Sequence, residues 1–114
     1  MSLDNHLPEF DLSFVIPIYR SESIIPSLLR QLENLDIKDN WEVVFVDDGS
    51  PDNSYKVLRD QLSSSPLSSK LIRHSRNFGE HQAVLTAYRN TSGLYVINIS
   101  DDLQNLPEEG MKLK

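Results

Sequence analysis

Acidic pairs stand at two places in this chain. One is Asp47-Asp48, which runs into Gly49-Ser50-Pro51-Asp52; the other is Ser100-Asp101-Asp102, which runs into Leu103-Gln104. Arg73 and Arg76 lie between them in sequence. Carboxylates brought together repel one another unless they share a cation. A hard divalent ion such as Mg2+ or Mn2+ prefers oxygen ligands of this kind. Such an ion can hold two phosphate oxygens and neutralise the charge that grows on a departing diphosphate. The glycine-rich devices for phosphate are missing: no dinucleotide fingerprint follows a strand, there is no P-loop lysine motif, and the chain has only four glycines. A diphosphate here is therefore expected to be held by a metal and by arginine. His81 opens a helix near the same residues, but a lone histidine is more often structural or solvated, and it is assigned no catalytic role.

These residues need a scaffold that gathers them. Leu12 to Ile18 is an almost continuous apolar run rich in β-branched residues, which predicts a strand buried on both faces, with Pro17 at its end or at an irregularity. Ile24, Ile25, Leu28, Leu29, Leu32 and Leu35 recur at helical spacing, with Pro26 tolerable only in the first turn. Trp41 to Val46 predicts a second strand. Asp52 or Ser50 can cap the helix that follows, whose apolar face is Tyr55, Leu58 and Leu62. Leu71 and Ile72 belong to a short third strand ending near His74. Glu80 to Asn90 predicts a third helix with Val84, Ala87 and Tyr88 on its apolar side, stopped by Thr91-Ser92-Gly93. Leu94 to Ile99 is the fourth strand.

The pattern β-α-β-α-β-α-β implies an α/β fold with a parallel sheet, right-handed crossovers and helices on both faces. In open parallel sheets, ligands bind beyond the carboxyl ends of the strands. Tyr19, Asp47-Asp48, Arg73 to Arg76 and Asp101-Asp102 all fall there.

The composition agrees with one soluble domain. The chain has 114 residues, a net charge of −6 and no cysteine. That length allows a hydrophobic core. No apolar run approaches the ~20 residues of a membrane span, and no signal peptide is evident. The acidic balance gives no electrostatic footprint for nucleic acid. Absent cysteines exclude disulfides and thiolate metal sites, and fit a reducing compartment. Residues 1–11 are expected to form a tail and residues 12–114 the domain.

Four blocks occur in order: Phe14-Val-Ile-Pro-Ile-Tyr19, Val46-Asp-Asp-Gly-Ser-Pro-Asp-Asn-Ser54, Arg76-Asn-Phe-Gly79 and Ser100-Asp-Asp-Leu-Gln-Asn-Leu-Pro-Glu108. Together they resemble family-two glycosyltransferases of the GT-A fold, over about Leu12 to Glu109. The last two blocks are most similar to the branch of dolichyl-phosphate mannosyltransferase and the polyprenyl-phosphate sugar transferases. The resemblance implies a Rossmann-like nucleotide-sugar-binding half, truncated at its C-terminus. It implies that Pro17, Ile18 and Tyr19 line the base pocket, that Asp47 and Asp48 recognise base or ribose, and that Arg76 lies near base and phosphates. In the Asp-X-Asp element, Asp101 approaches the ribose and Asp102 ligates Mg2+ or Mn2+. Two departures stand out: Ser100 replaces the usual first aspartate, and Arg20-Ser21 replaces the usual Asn-Glu after the tyrosine.

The implied reaction takes a nucleotide-sugar donor to a saccharide or polyprenyl-phosphate acceptor, at the cytoplasmic side and, in a full-length protein, at the inner face of the membrane. Transfer with inversion needs a general base. The resemblance puts that base beyond Lys114, so the chain alone is expected to bind nucleotide weakly and to turn over poorly or not at all. An incomplete sheet leaves the fourth strand open to self-association. Two other readings fit the residues. One is a receiver-like Mg2+-binding regulatory module, although its acidic pair would follow the first strand. The other is a non-catalytic nucleotide-sugar-binding fragment.

Overall fold

The computed structural model of the chain describes residues 9–101. The elements alternate as expected: β1 (Phe10–Ile18), α1 (Ile25–Glu33), β2 (Trp41–Asp47), α2 (Ser54–Leu62), β3 (Ser69–Arg73), α3 (Glu80–Tyr88) and β4 (Gly93–Asn98). All pairings are parallel, in the order β3-β2-β1-β4. The chain moves outward from β1 to β3, then returns across α3 to the other side of β1. The direction of winding therefore reverses between β1 and β4, and that opens a crevice beyond their carboxyl ends.

The central strands bury both faces, which is why their sequences do not alternate. Phe14, Ile16, Ile18, Val43 and Phe45 pack with Ile25, Leu28, Leu29 and Leu32 of α1 and Leu58 of α2. Val15, Val44 and Val46 face the other way, onto Ala83 and Ala87 of α3. Burying a side chain of Leu, Ile or Phe size stabilises by about 1.5–3 kcal/mol relative to exposure. The α1–α2 side thus carries most of the apolar stabilisation.

Pro17 sits inside β1 opposite Val46, with no irregularity. The amide of Asp48 donates to the carbonyl of Ile18 and that of Ile99 to the carbonyl of Val15, so the groups of residue 17 face the β4 side. The β1–β4 register has ended by then, at Val15 opposite Asn98. No ladder bond is lost where the proline lacks its N–H. Pro26 falls in the first turn of α1, where a proline costs nothing.

Several boundaries differ from the sequence reading. β1 starts at Phe10, because Phe10 pairs with Gly93 and Asp11 donates its amide to the carbonyl of Asn40. β3 runs from Ser69 to Arg73, drawn out by pairing with β2. Tyr88 is 46% exposed, and the buried positions of α3 are Ala83 and Ala87. Small side chains bring α3 close to the valines, and Tyr88, one residue past Ala87, is rotated out. Gly93 is not a helix cap. It opens β4, where an added Cβ would overlap Leu12 and Ser13 of β1, so glycine is required for strand approach. α2 has Asn53 at its N-cap without a side-chain bond; Asp52 instead accepts from the amide and hydroxyl of Ser54.

At the amino ends of the strands, Glu42 is buried within β2. It accepts from the Ser13 hydroxyl at 2.6 Å and the Ser92 amide at 2.6 Å, with the Lys70 ammonium at 3.5 Å. That network ties together the end of the sheet opposite the crevice.

Candidate functional site

The crevice at the reversal of winding holds a cavity of about 410 Å³ lined by residues of β1, the turn after β2, the start of α3 with the turn before it, and the turn after β4. Pro17, Ile18 and Tyr19 form one wall, and Ser100 and Asp101 the other. Asp48, Asn77, Gly79 and Glu80 close it from the β2 and α3 side. Of the residues singled out from sequence, Pro17, Ile18, Tyr19, Asp48 and Asp101 are thus brought together. Tyr19 is 40% exposed and offers an aromatic face at the cavity.

Asp47 and Asp48 part company at the end of β2, because successive side chains of a strand point oppositely. Asp47 is fully buried and accepts from the amide and hydroxyl of Ser50, closing its own turn. It does not line the cavity. The Ser50 hydroxyl also accepts the amide of Arg20 at 3.0 Å, which holds Arg20 at φ 55. Positive φ in a side-chain-bearing residue is uncommon and gathers at functional sites.

Asp48 serves the opposite wall. Its carboxylate accepts the amides of Phe78 and Gly79, each at 2.9 Å, and lies 2.8 Å from Nδ1 of His74. The Asn77 side-chain amide donates to the Asp48 carbonyl at 3.3 Å. Beneath this, Gly49 has φ 69, and an added Cβ would overlap the backbone of Arg76 and Asn77. The Asp48-Gly49 turn and the Asn77-Phe78-Gly79 turn are therefore packed backbone to backbone. Gly79 has φ 104 and ψ 153, a conformation reserved for glycine, and it leads directly into α3.

Arg76 is exposed, with its guanidinium 4.8 Å above the Phe78 ring. It is not among the residues that line the cavity. His81 is exposed on α3 and likewise does not line it.

The turn after β4 is joined to the turn after β1. The Ser21 hydroxyl donates to the Asp101 carboxylate, and the Ser21 amide donates to the Ser54 hydroxyl at 2.7 Å. Ser21 stands in one of the two departures noted above. Its short side chain reaches Asp101, whereas the Glu22 carboxylate accepts the Asn53 amide outside the cavity.

Asp102 lies outside the described residues. Among the described residues no three His, Asp or Glu side chains gather as a cation site. The oxygen donors of Ser100 and Asp101 suit a hard divalent ion in type, but they do not make a complete set.

The site's unexpected residues are Ser21, His74, Asn77, Gly79 and Glu80. A strand-end position announced His74, and the Asn-Phe-Gly turn announced Asn77 and Gly79; the Ser21 contact spans a separation of 80 residues and had no local signal.

Residues 13–113 match the family model described as Glycosyl transferase family 2. The chain is 38% identical over 102 residues to undecaprenyl-phosphate 4-deoxy-4-formamido-L-arabinose transferase of Pseudomonas fluorescens, covering 86% of this chain and 29% of that protein. The protein of the same name from Proteus mirabilis is 37% identical over 100 residues, with 86% and 31% covered. The chain thus spans under a third of the length of these relatives. Among solved structures, a mannosyltransferase of Pyrobaculum calidifontis in complex with GDP-Man and Mn2+ superposes with a TM-score of 0.76 and 26% identity, over 82% of this chain and 28% of that one. S. aureus TarS in complex with UDP-GlcNAc superposes with a TM-score of 0.71 and 27% identity, over 81% and 26%.

Proposed function

Since the chain belongs to glycosyl transferase family 2, we propose that the crevice between β1 and β4 is the donor site of an enzyme that transfers a sugar from a nucleotide diphosphate. The observation that carries this reading is the cavity itself: one apolar and aromatic wall, Pro17 to Tyr19, faces two carboxylates, Asp48 and Asp101, at the reversal of the sheet. A nucleotide needs such a pairing. The base lies against the apolar wall, while carboxylates accept hydrogen bonds from base N–H or ribose hydroxyl groups. The solved relatives named above are complexes with GDP-Man or UDP-GlcNAc, which supports a nucleotide sugar as the ligand. Family membership displaces the receiver-like alternative.

Mg2+ or Mn2+ would be held by Asp102 together with the diphosphate, beside Asp101 and Ser100. A bound cation supplies charge neutralisation for the leaving diphosphate. Around it the chain's own residues orient the donor: Asp101, fixed by Ser21, faces the ribose side; Asp48 faces the base side; Arg76 stands near enough in sequence to swing from Phe78 toward phosphate. The relatives' names support a polyprenyl-phosphate acceptor over a saccharide. With such an acceptor the enzyme works at the inner face of the membrane. No helix of the described residues is long and apolar enough to cross one. The edge strand β4, with Leu94 60% and Tyr95 55% exposed, supports association with further polypeptide, including a second copy.

A thermal-shift screen of UDP-, GDP- and dTDP-sugars with and without Mn2+ tests the reading. A ligand selective for the folded state raises the unfolding temperature by mass action. At least one nucleotide sugar is expected to stabilise the chain more with Mn2+ than without, and Asp102→Ala is expected to remove the Mn2+-dependent part. A folded protein that responds to none of them sinks the proposal.

A further inference from the structure

His74 is a residue that neither the motifs nor the family match explains. It follows β3 and is mostly buried, its side chain 12% exposed. Its Nδ1 lies 2.8 Å from Oδ1 of Asp48 and its Nε2 lies 2.9 Å from Oγ1 of Thr86 on α3. The ring of Phe78 meets it edge-on at 5.3 Å between centroids. Both ring nitrogens and one ring edge are therefore engaged, by three different segments of chain.

The hydrogen assignments follow from the partners. Oδ1 and Oδ2 of Asp48 already accept the amides of Phe78 and Gly79. The carboxylate acts as an acceptor throughout, so Nδ1 of His74 carries the hydrogen and donates it. Nε2 is paired with the Thr86 hydroxyl, which can serve as either donor or acceptor. A histidine ring whose far nitrogen is fixed by a second partner holds its near partner in one orientation. Here that partner is the carboxylate that lines the cavity.

We propose that His74, held between Thr86 and Asp48 with its Nδ1–H on the carboxylate, is the positioning residue that sets the Asp48 carboxylate for nucleotide recognition. The inference rests on the donor-site reading above. His74 does not enter the cavity itself: Asp48, Asn77, Gly79 and Glu80 line that wall, and His74 stands behind them. Its contribution is preorganisation. With Oδ1 shared between His74 and Phe78, and Oδ2 given only the Gly79 amide, Oδ2 retains the free acceptor position. Without His74, the carboxylate keeps only the two backbone amides, and the ligand must complete its ordering on binding.

Two measurements on the 114-residue chain decide the matter. The first needs no ligand. Nitrogen-15 NMR of the imidazole is expected to show a hydrogen on Nδ1 at neutral pH, and Thr86→Val is expected to loosen that assignment. A ring protonated at Nε2 alone overturns the proposal. The second is calorimetric titration with UDP, with GDP and with dTDP in the presence of Mn2+. His74→Leu is expected to weaken the nucleotide that binds by about tenfold, since a fixed partner of a charged acceptor is lost. His74→Asn keeps an N–H where Nδ1 stood and is expected to recover most of that loss. Wild-type affinity in His74→Leu, or a loss in His74→Asn as large as in His74→Leu, overturns the positioning role. If no nucleotide, dTDP included, binds the wild-type chain, the donor-site reading fails and the recognition role fails with it, while the imidazole measurement still decides the His74–Asp48 geometry on its own.

Discussion

The Ser21 hydroxyl donates to the Asp101 carboxylate and thereby joins the turn after β1 to the turn after β4. These turns belong to neighbouring parallel strands whose winding reverses between them. The Ser21 hydroxyl orients the carboxylate on the far wall of that crevice.

Ser21→Ala removes that bond and keeps the Ser21 amide on Ser54. Affinity for a nucleotide sugar with Mn2+ is expected to fall about three- to tenfold, with a stability loss of about 1 kcal/mol. Calorimetric titration and urea unfolding measure the two. Unchanged affinity in a folded variant would show that Asp101 needs no such anchor.

Gly49→Ala should be among the most damaging single changes near the site. It combines a positive φ of 69 with overlap against the backbone of Arg76 and Asn77, which cannot move aside as a flexible side chain could. A loss of about 2–4 kcal/mol is expected. Gly79→Ala places a side chain at φ 104 but meets no atom within 4 Å, so backbone strain alone acts there. Comparing the two by chemical denaturation separates strain from overlap.

Glu42→Ala leaves the Ser92 amide and the Ser13 hydroxyl without their acceptor in a buried setting. A destabilisation of about 2–4 kcal/mol is expected. Glu42 lies at the amino end of β2, opposite the cavity, so nucleotide affinity measured well below the unfolding temperature should be unchanged. A loss of affinity as large as that of Ser21→Ala would show that the two ends of the sheet are coupled.

Asp52 carries a pH signature. Burial pushes its carboxyl up, but the Ser54 hydroxyl and amide, with further backbone hydrogen bonds, together outweigh that and leave it below its ordinary value of 3.8. A carboxyl whose folded value lies below its unfolded value stabilises the fold fully above the unfolded value. That stabilisation is lost as pH falls through the folded one. Asp52→Asn should therefore reduce stability near neutral pH and flatten the decline below about pH 4. The effect is small, because Asp52 is exposed and solvent screens it. Thermal midpoints from acid to neutral pH check it; parallel curves for the two proteins would exclude this role.

Much of the molecule was legible in its residues. Apolar runs of β-branched side chains marked β1, β2 and β4, and the spacing of Ile25, Leu28, Leu29 and Leu32 marked α1, because burial imposes a period on each kind of element. Alternation of strands and helices then required a parallel sheet, and a parallel sheet puts its ligands at the carboxyl ends. Tyr19, Asp48 and Asp101 were found on that logic, since a strand end is a local property; Pro17 and Ile18 came from the family resemblance.

Tertiary structure alone decided how the acidic residues divide. Asp47 and Asp48 are chemically identical neighbours, and only the direction each takes at the end of β2 makes one a turn residue and the other a cavity wall. The need for Gly49 lies in the approach of Arg76 and Asn77, residues far along the chain. Gly93 read as a helix stop, yet it serves the approach of β4 to β1. The pairings of Ser21 with Asp101 and of His74 with Asp48 are invisible to any local pattern. A sequence records periodicity within an element, because neighbours in the chain share a face; it does not record which faces and turns meet, because the sheet order that brings them together is a property of the whole packed fold.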